Sequence, residues 1–563
     1  MVRLLDYRGG VSAYDLRAVK LPTLSGRSLV LFARLLRAPV IGRLLLDKLV
    51  RDAGIPKLLE ARLDLPPTPR PLAAAADHTP TGAPDAAAVE NRSGMASVRD
   101  YQRAYGTGRT TPSQVADATL SAIERSNAGA RPLRAIIACQ SDDVRRQAEA
   151  STRRYQARTP LGPFDGVPVA IKDELDLLGY PTSVGTSFLG REPAREDATV
   201  VARLRAAGAL LIGKANMYEL GISPESHNMH HGVARNPHNP SHQSGGSSSG
   251  PATAVAAGLC PVAIGADGGG SIRVPAAFCG VVGLKATYGR VSEHGAAPLC
   301  WSVAHVGPIG QSVEDVALSY QLIAGPDARD PTTALQPAPE LGQWTKPDLD
   351  GVRLGVFRPW FEHAEPEIVS SCQAMLEEFA RAGARIQEIE VPALDLMRIA
   401  HAVTILSEMA AALQPYAAHF RRHAPAVQAN LLAGREFQAR HYVLAQQVRT
   451  LAMRTFAGLF ARVDAVITPT TAVTAPAIPE ASARIGWSDL STVTEIMRFI
   501  VPGNLVGMPA ISFPVGYGSA SLPIGMQAMA KHWNEPLLLR IAHAAERVMQ
   551  RRTPEVHYAL LAT

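Results

Sequence analysis

The pattern of apolar and polar positions divides the chain into three stretches. In residues 25 to 52, SGRSLVLFARLLRAPVIGRLLLDKLVRD, apolar residues recur at helical spacing on two successive faces. Leu29, Phe32, Leu35 and Leu36 share the first face; Val40, Leu44, Leu45 and Leu49 share the second. Ser28 is the expected cap of a first helix ending near Arg37, and Pro39 is placed to start the second. Arg27, Arg34, Arg37, Arg43, Lys48 and Arg51 supply a basic complement, opposed only by Asp47 and Asp52. Such a hairpin suits a core, a dimer partner or an anionic membrane surface. Residues 1 to 65 are therefore expected to form a helical extension.

Residues 66 to 97 lose this periodicity and fill with Pro and Ala, which reads as a linker or a strap over the surface. From residue 98 to 563 helical and strand-like periods alternate. Thr111 to Asn127 is a capped helix, with Pro112 in its first turn and Gln114 completing a capping box. Short apolar runs predict strands at 167–171, 209–212, 353–357, 465–467, 511–515 and 525–529. Helices are expected at 198–207, 367–382 and 535–550, the last capped by Asn534 with Pro536 in its first turn. Strands interleaved with helices predict an α/β fold, a large mixed twisted sheet covered on both sides by helices.

Composition narrows the function classes. In 563 residues, 56 Lys and Arg against 50 Asp and Glu leave a net charge of +6, too weak to imply nucleic acid. Five cysteines without a C-x-x-C pair indicate reduced thiols and a cytoplasmic setting. No secretory signal or membrane-length apolar run is visible.

Glycine and serine are densest between Ser241 and Lys285. Gly245-Gly246-Ser247-Ser248-Ser249-Gly250 forms one cluster, and Gly268-Gly269-Gly270-Ser271 a second. Glycine costs backbone entropy, so such density marks places where backbone must come close to something. Successive N–H groups of Gly268, Gly269, Gly270 and Ser271 suit an oxyanion, with Ser271 as a nucleophile. A base is then needed, and a lysine serves where burial keeps it neutral. Lys172 ends the apolar run 167–171 and is the best placed; the competing reading is an ion pair with Asp173 or Asp176.

Three other signals are weaker. Gly246 to Gly250 matches G-x-S-x-G with Ser248 central, but no apolar strand leads into it. Gly208 to Ala215 approaches a phosphate-binding loop, yet lacks the final hydroxyl and carries Leu-Leu-Ile where a loop is required. His227, His230, His231, His238 and His242 invite a zinc reading, but no helix spaces them as ligands, so surface or loop histidines are expected.

Taken together, V-A-I-K-D, G-G-S-S-S-G, G-A-D-G-G-G-S-I-R-V-P and C-G-V-V-G-L-K resemble the amidase signature family. So do Gly213 to Met217, Thr287 to Arg290 and Thr468 to Thr470. The hairpin and R-N-P-H at 235–238 are similar to the plant-type fatty acid amide hydrolases. Pro251 departs from the small residue usual there. The resemblance implies Ser271 as nucleophile, Ser247 as a bridging serine whose bond to Gly246 is cis, and Lys172 as base. It further implies a small-molecule lipid amide substrate such as an N-acylethanolamine, no cofactor or metal, and a homodimer. Under it, Leu29, Phe32 and Leu44 become candidates for contacting an acyl chain or a membrane. The alternatives are an amidase of short-chain or aryl amides, a glutaminase-type component of an amidotransferase, and a catalytically silent binding protein.

Overall fold

A mixed sheet of 11 strands organises the computed structural model, which describes residues 14–17, 23–61, 63–72, 91 and 93–561. In chain order its strands are β1 (Ile136–Ala138), β2 (Pro168–Lys172), β3 (Leu210–Ala215), β4 (Val262–Ala266), β5 (Val282–Lys285) and β6 (Val306–Gly310). They continue with β7 (Arg353–Val356), β8 (Arg385–Glu388), β9 (Ala465–Pro469), β10 (Ala510–Tyr517) and β11 (Pro523–Ala530). Across the sheet the order is β8-β7-β9-β11-β10-β5-β6-β4-β2-β3-β1. β2 runs parallel to both β3 and β4, whereas β6 is antiparallel to β4 and to β5. The central strands are buried along their whole length, which explains why their sequences are continuous apolar runs without alternation.

The helices flank this sheet much as the periodicity predicts. Pro112–Ser126 starts at Thr111, whose side chain accepts the Gln114 N–H, and Glu535–Val548 follows Asn534. Every predicted strand is present, several being longer than expected. The buried helix Ser249–Ala256 lies against neighbouring backbone: a Cβ at Gly250 would stand 2.2 Å from the Asn216 nitrogen. Pro251 falls in its first turn, where a missing N–H has no consequence.

The hairpin is present with shifted ends. Its helices are Gly26–Leu35 and Ile41–Asp52. Ser28 is not the cap; it lies inside the first turn and accepts the Ser25 N–H at 3.2 Å. Pro39 lies in the connection, because the chain turns over Leu36 to Val40 before the second helix begins. Leu29 is 1% exposed and Phe32 half-buried, so Leu29 faces protein, while Leu44 is 64% exposed. Residues 66–69 lie along the helix Ala439–Phe460: Thr68 N donates to Gln446 O at 3.2 Å and Arg449 Nη1 to Pro69 O at 2.6 Å. Most of the Pro- and Ala-rich stretch, residues 73–90, lies outside the described residues. Among the described residues no single helix is long and apolar enough to cross a membrane.

Candidate active site

Two parallel strands end side by side at the site. β2 delivers Lys172 at its last position, and β4 ends at Ala266, one residue before the loop Asp267–Ser271. Lys172 is 1% exposed. Its Nζ donates to Ser247 Oγ at 2.9 Å and to Ala266 O at 3.1 Å, and lies 2.9 Å from Glu174 Oε2. The carboxylate that faces Lys172 is thus Glu174, and neither Asp173 nor Asp176 pairs with it. Asp173 accepts the Gly185 N–H at 2.9 Å and lies 3.6 Å from Lys214, and Asp176 accepts the Thr182 hydroxyl at 2.7 Å.

The Gly246–Ser247 peptide bond is cis. A Cβ at Gly246 would stand 1.9 Å from the Glu225 carbonyl oxygen, so glycine alone admits this close approach. Ser248 is fully buried and its hydroxyl donates to Ala266 O at 3.1 Å, so the central serine of the G-x-S-x-G match is structural. Ser271 lines a cavity of about 280 Å³ together with Lys172, Glu174, Ser247 and Gly268. Among the described residues nothing hydrogen-bonds its side-chain hydroxyl.

Of the four expected oxyanion donors, Gly270 is otherwise engaged. Its N–H donates to Asp267 Oδ1 at 2.7 Å, and Ile272 N–H donates to Asp267 Oδ2 at 3.1 Å. The N–H groups of Gly268, Gly269 and Ser271 have no acceptor among the described residues. Asp267 and Arg273 form a fully buried ion pair at 3.0 Å, extended by Asn504, whose Nδ2 donates to Asp267 Oδ1 at 2.9 Å, and by Gln527, which accepts from Arg273 at 3.0 Å. Burial opposes the Asp267 charge, but Arg273 and these hydrogen bonds outweigh it and hold the carboxyl well below the ordinary range.

The cavity lining is mixed in chemistry. Leu220, Leu299, Ile405 and Met409 supply apolar lining, and Arg70, Glu293, Arg329 and Asp330 supply charged lining. Burial, with Asp330 and Glu174 close by, pushes the Glu293 carboxyl well above its usual range. Glu174 and Glu293 carry no sequence motif of their own, although Glu174 follows Lys172 by only two positions.

The remaining candidates are structural. Lys214 is a buried β3 residue whose Nζ donates to Thr182 Oγ1 at 3.1 Å, not a phosphate-loop lysine. His227 is buried, contrary to a surface role: its Nε2 lies 3.1 Å from Ala483 O, its ring packs on Trp487, and burial lowers its pKa to about 4. His238 is likewise buried, while His230 and His231 are half-buried. Among the described residues no group of three or more His, Cys, Asp or Glu is arranged to hold a metal ion.

The class follows from sequence and fold comparison: the amidase family model matches residues 117–539. The chain belongs to the amidase signature family and is an amide hydrolase. It is similar to the fatty acid amide hydrolase of Arabidopsis thaliana, 37% identical over 98% of this chain and 97% of that protein. It is also similar to a glutamyl-tRNA(Gln) amidotransferase subunit of Symbiobacterium thermophilum, 37% identical over 81% of this chain and 97% of that one. Among solved structures, native peptide amidase from Stenotrophomonas maltophilia has a TM-score of 0.69 at 29% identity, covering 83% of this chain and 99% of its own.

Proposed function

We propose that this chain hydrolyses long-chain fatty acid amides, such as N-acylethanolamines, to free fatty acid and amine through an acyl-enzyme on Ser271. The Lys172 Nζ to Ser247 Oγ contact at 2.9 Å, in the cavity that Ser271 lines, carries the hydrolytic part of the reading, and the similarity to a fatty acid amide hydrolase supports the substrate class. Ser271 Oγ attacks the amide carbonyl carbon while its proton passes to Ser247 Oγ, whose own proton passes to Lys172 Nζ. Glu174 lies beside the ammonium so formed. The relay then runs backwards to protonate the leaving nitrogen, the C–N bond breaks, and water releases the acid in a second round. No metal or organic cofactor takes part in these steps.

The apolar lining residues take the acyl chain and the charged ones face the amine. Each methylene buried is worth about 0.8 kcal/mol, roughly fourfold in kcat/KM, so activity should climb with acyl length until the apolar lining is filled. A series of acyl lengths on one amine measures this. Preference for short or aromatic acyl groups defeats the fatty-amide reading, and glutaminase activity favours an amidotransferase role.

Lys172→Ala should lower kcat by about 10² to 10⁴, the usual worth of a general base, with residual activity rising as hydroxide replaces it. A pH–rate profile parallel to wild type would refute Lys172 as the base.

The hairpin supplies a proposed membrane contact. Leu31, Val40, Ile41 and Leu44 are 50–72% exposed, beside exposed Arg34, Arg37 and Arg43. Five free cysteines support a reducing, cytoplasmic setting, with the protein peripheral on the inner membrane surface. Co-sedimentation with anionic vesicles should be lost in Leu44→Asp. A homodimer that the same substitution splits, without vesicle binding in wild type, assigns the face to a second copy.

A further inference from the structure

His401 stands outside every motif that the sequence singles out, yet it contacts the nucleophile loop. It lies on the helix Leu394–Ala412, one turn before Ile405 of the cavity wall, and is 2% exposed. Its Nε2 is 2.8 Å from the Gly268 carbonyl oxygen. A carbonyl oxygen only accepts, so Nε2 carries the proton. Burial lowers the pKa of His401 to about 4, so at neutral pH the ring is an uncharged Nε2–H donor.

The Gly268 oxygen and the Gly269 N–H belong to one planar trans peptide and point in opposite directions. Holding the oxygen therefore fixes the direction of the N–H. On the next peptide, the Gly270 N–H is held by Asp267 at 2.7 Å. The Gly269 N–H, carried on the first of these two anchored peptides, has no acceptor among the described residues. The fit is close: a Cβ at Gly269 would stand 2.9 Å from His401 Cε1 and 3.3 Å from Met497 Cε. Donation into the carbonyl also polarises the peptide and strengthens its N–H as a donor.

We infer that His401 is a positioning residue for the oxyanion site, aiming the Gly269 N–H at the negative charge that develops on the substrate oxygen beside Ser271. This rests on the serine-hydrolase reading above. His401 touches neither substrate nor nucleophile in this role; it acts through the backbone of the loop.

The test compares His401→Phe, which keeps a planar ring but removes the donor, with His401→Gln, whose amide N–H retains one. His401→Phe should lower kcat by about 10²-fold, as loss of an oxyanion donor does, with KM within a few-fold of wild type. Affinity for a trifluoromethyl ketone with a fatty chain, which forms a tetrahedral oxyanion, should fall in parallel, and His401→Gln should recover most of both. Wild-type kcat in His401→Phe, or a rise in KM alone, overturns the inference. If His401→Phe does not fold, His401→Asn replaces it: its donor is too short to reach, and wild-type kcat there overturns the inference equally. Failure of wild-type protein to take a fluorophosphonate on Ser271 sinks the hydrolase reading itself, an outcome distinct from any result at His401.

Discussion

Ser271→Ala is expected to abolish amide turnover and to leave no site for a fluorophosphonate. Removing the nucleophile from a serine hydrolase costs on the order of 10⁶ in kcat, because the covalent route disappears and only binding and oxyanion donors remain. Three serines stand close together in sequence, and the structure separates their roles. Ser248 is buried with its hydroxyl on Ala266 O, so Ser248→Ala should still label. Ser247 meets Lys172, so Ser247→Ala should label slowly, through loss of the proton relay. Mass spectrometry of probe-treated protein reads all three. An adduct on Ser248 in wild type, or turnover in Ser271→Ala within tenfold of wild type, would reject Ser271 as nucleophile.

Features that depend on neighbours in sequence are legible from the residues alone. The capping box at Thr111 and Gln114 involves residues three apart, and it forms as read. The strands Pro168–Lys172 and Ala465–Pro469 come from apolar runs and are buried along their whole length. Boundaries failed where tertiary packing decides them. Ser28 has a good cap composition, but Ser25 precedes the first turn because that turn begins at Gly26. His227 looks like a polar loop residue and is buried, since Trp487 and Ala483, more than 250 positions away, cover it.

At the site, Lys172, Ser247 and Ser271 are legible because strand end and glycine clusters mark them, and the cavity brings them together. Gly270 could not be excluded as an oxyanion donor from sequence, because Asp267 turns back to claim its N–H only in the folded loop. Glu174 is hidden by Asp173, an equally acidic residue one position closer to Lys172. His401 reaches Gly268 across 133 positions, and no local pattern encodes such a contact.

The second large effect concerns the charge buried beneath the nucleophile loop. Arg273→Met removes the partner of a fully buried carboxylate, and breaking such a pair costs about 3–5 kcal/mol. That is a large part of the roughly 5–15 kcal/mol typical of folded domains, so denaturation should begin at much lower urea. The pH dependence has a definite sign. In wild type the Asp267 carboxyl is held below its unfolded value of about 3.9, so its contribution is present above that pH and fades only in stronger acid. Without Arg273, burial raises the same carboxyl, and the charged form becomes a penalty that grows as pH rises above about 3.9. The gap between wild type and Arg273→Met should therefore be wider at pH 7 than near pH 4, where the penalty in the variant has gone while the wild-type contribution of Asp267 is still present. Adding Asp267→Asn should recover part of the loss at pH 7, since no uncompensated charge remains. Activity should recover less, because Asp267 also accepts the Gly270 and Ile272 N–H groups, and an amide oxygen replaces only one of two carboxylate acceptors. A gap between wild type and Arg273→Met that is constant from pH 4 to 7, or a double variant no more stable than Arg273→Met, would show that Arg273 contributes through packing and not through charge.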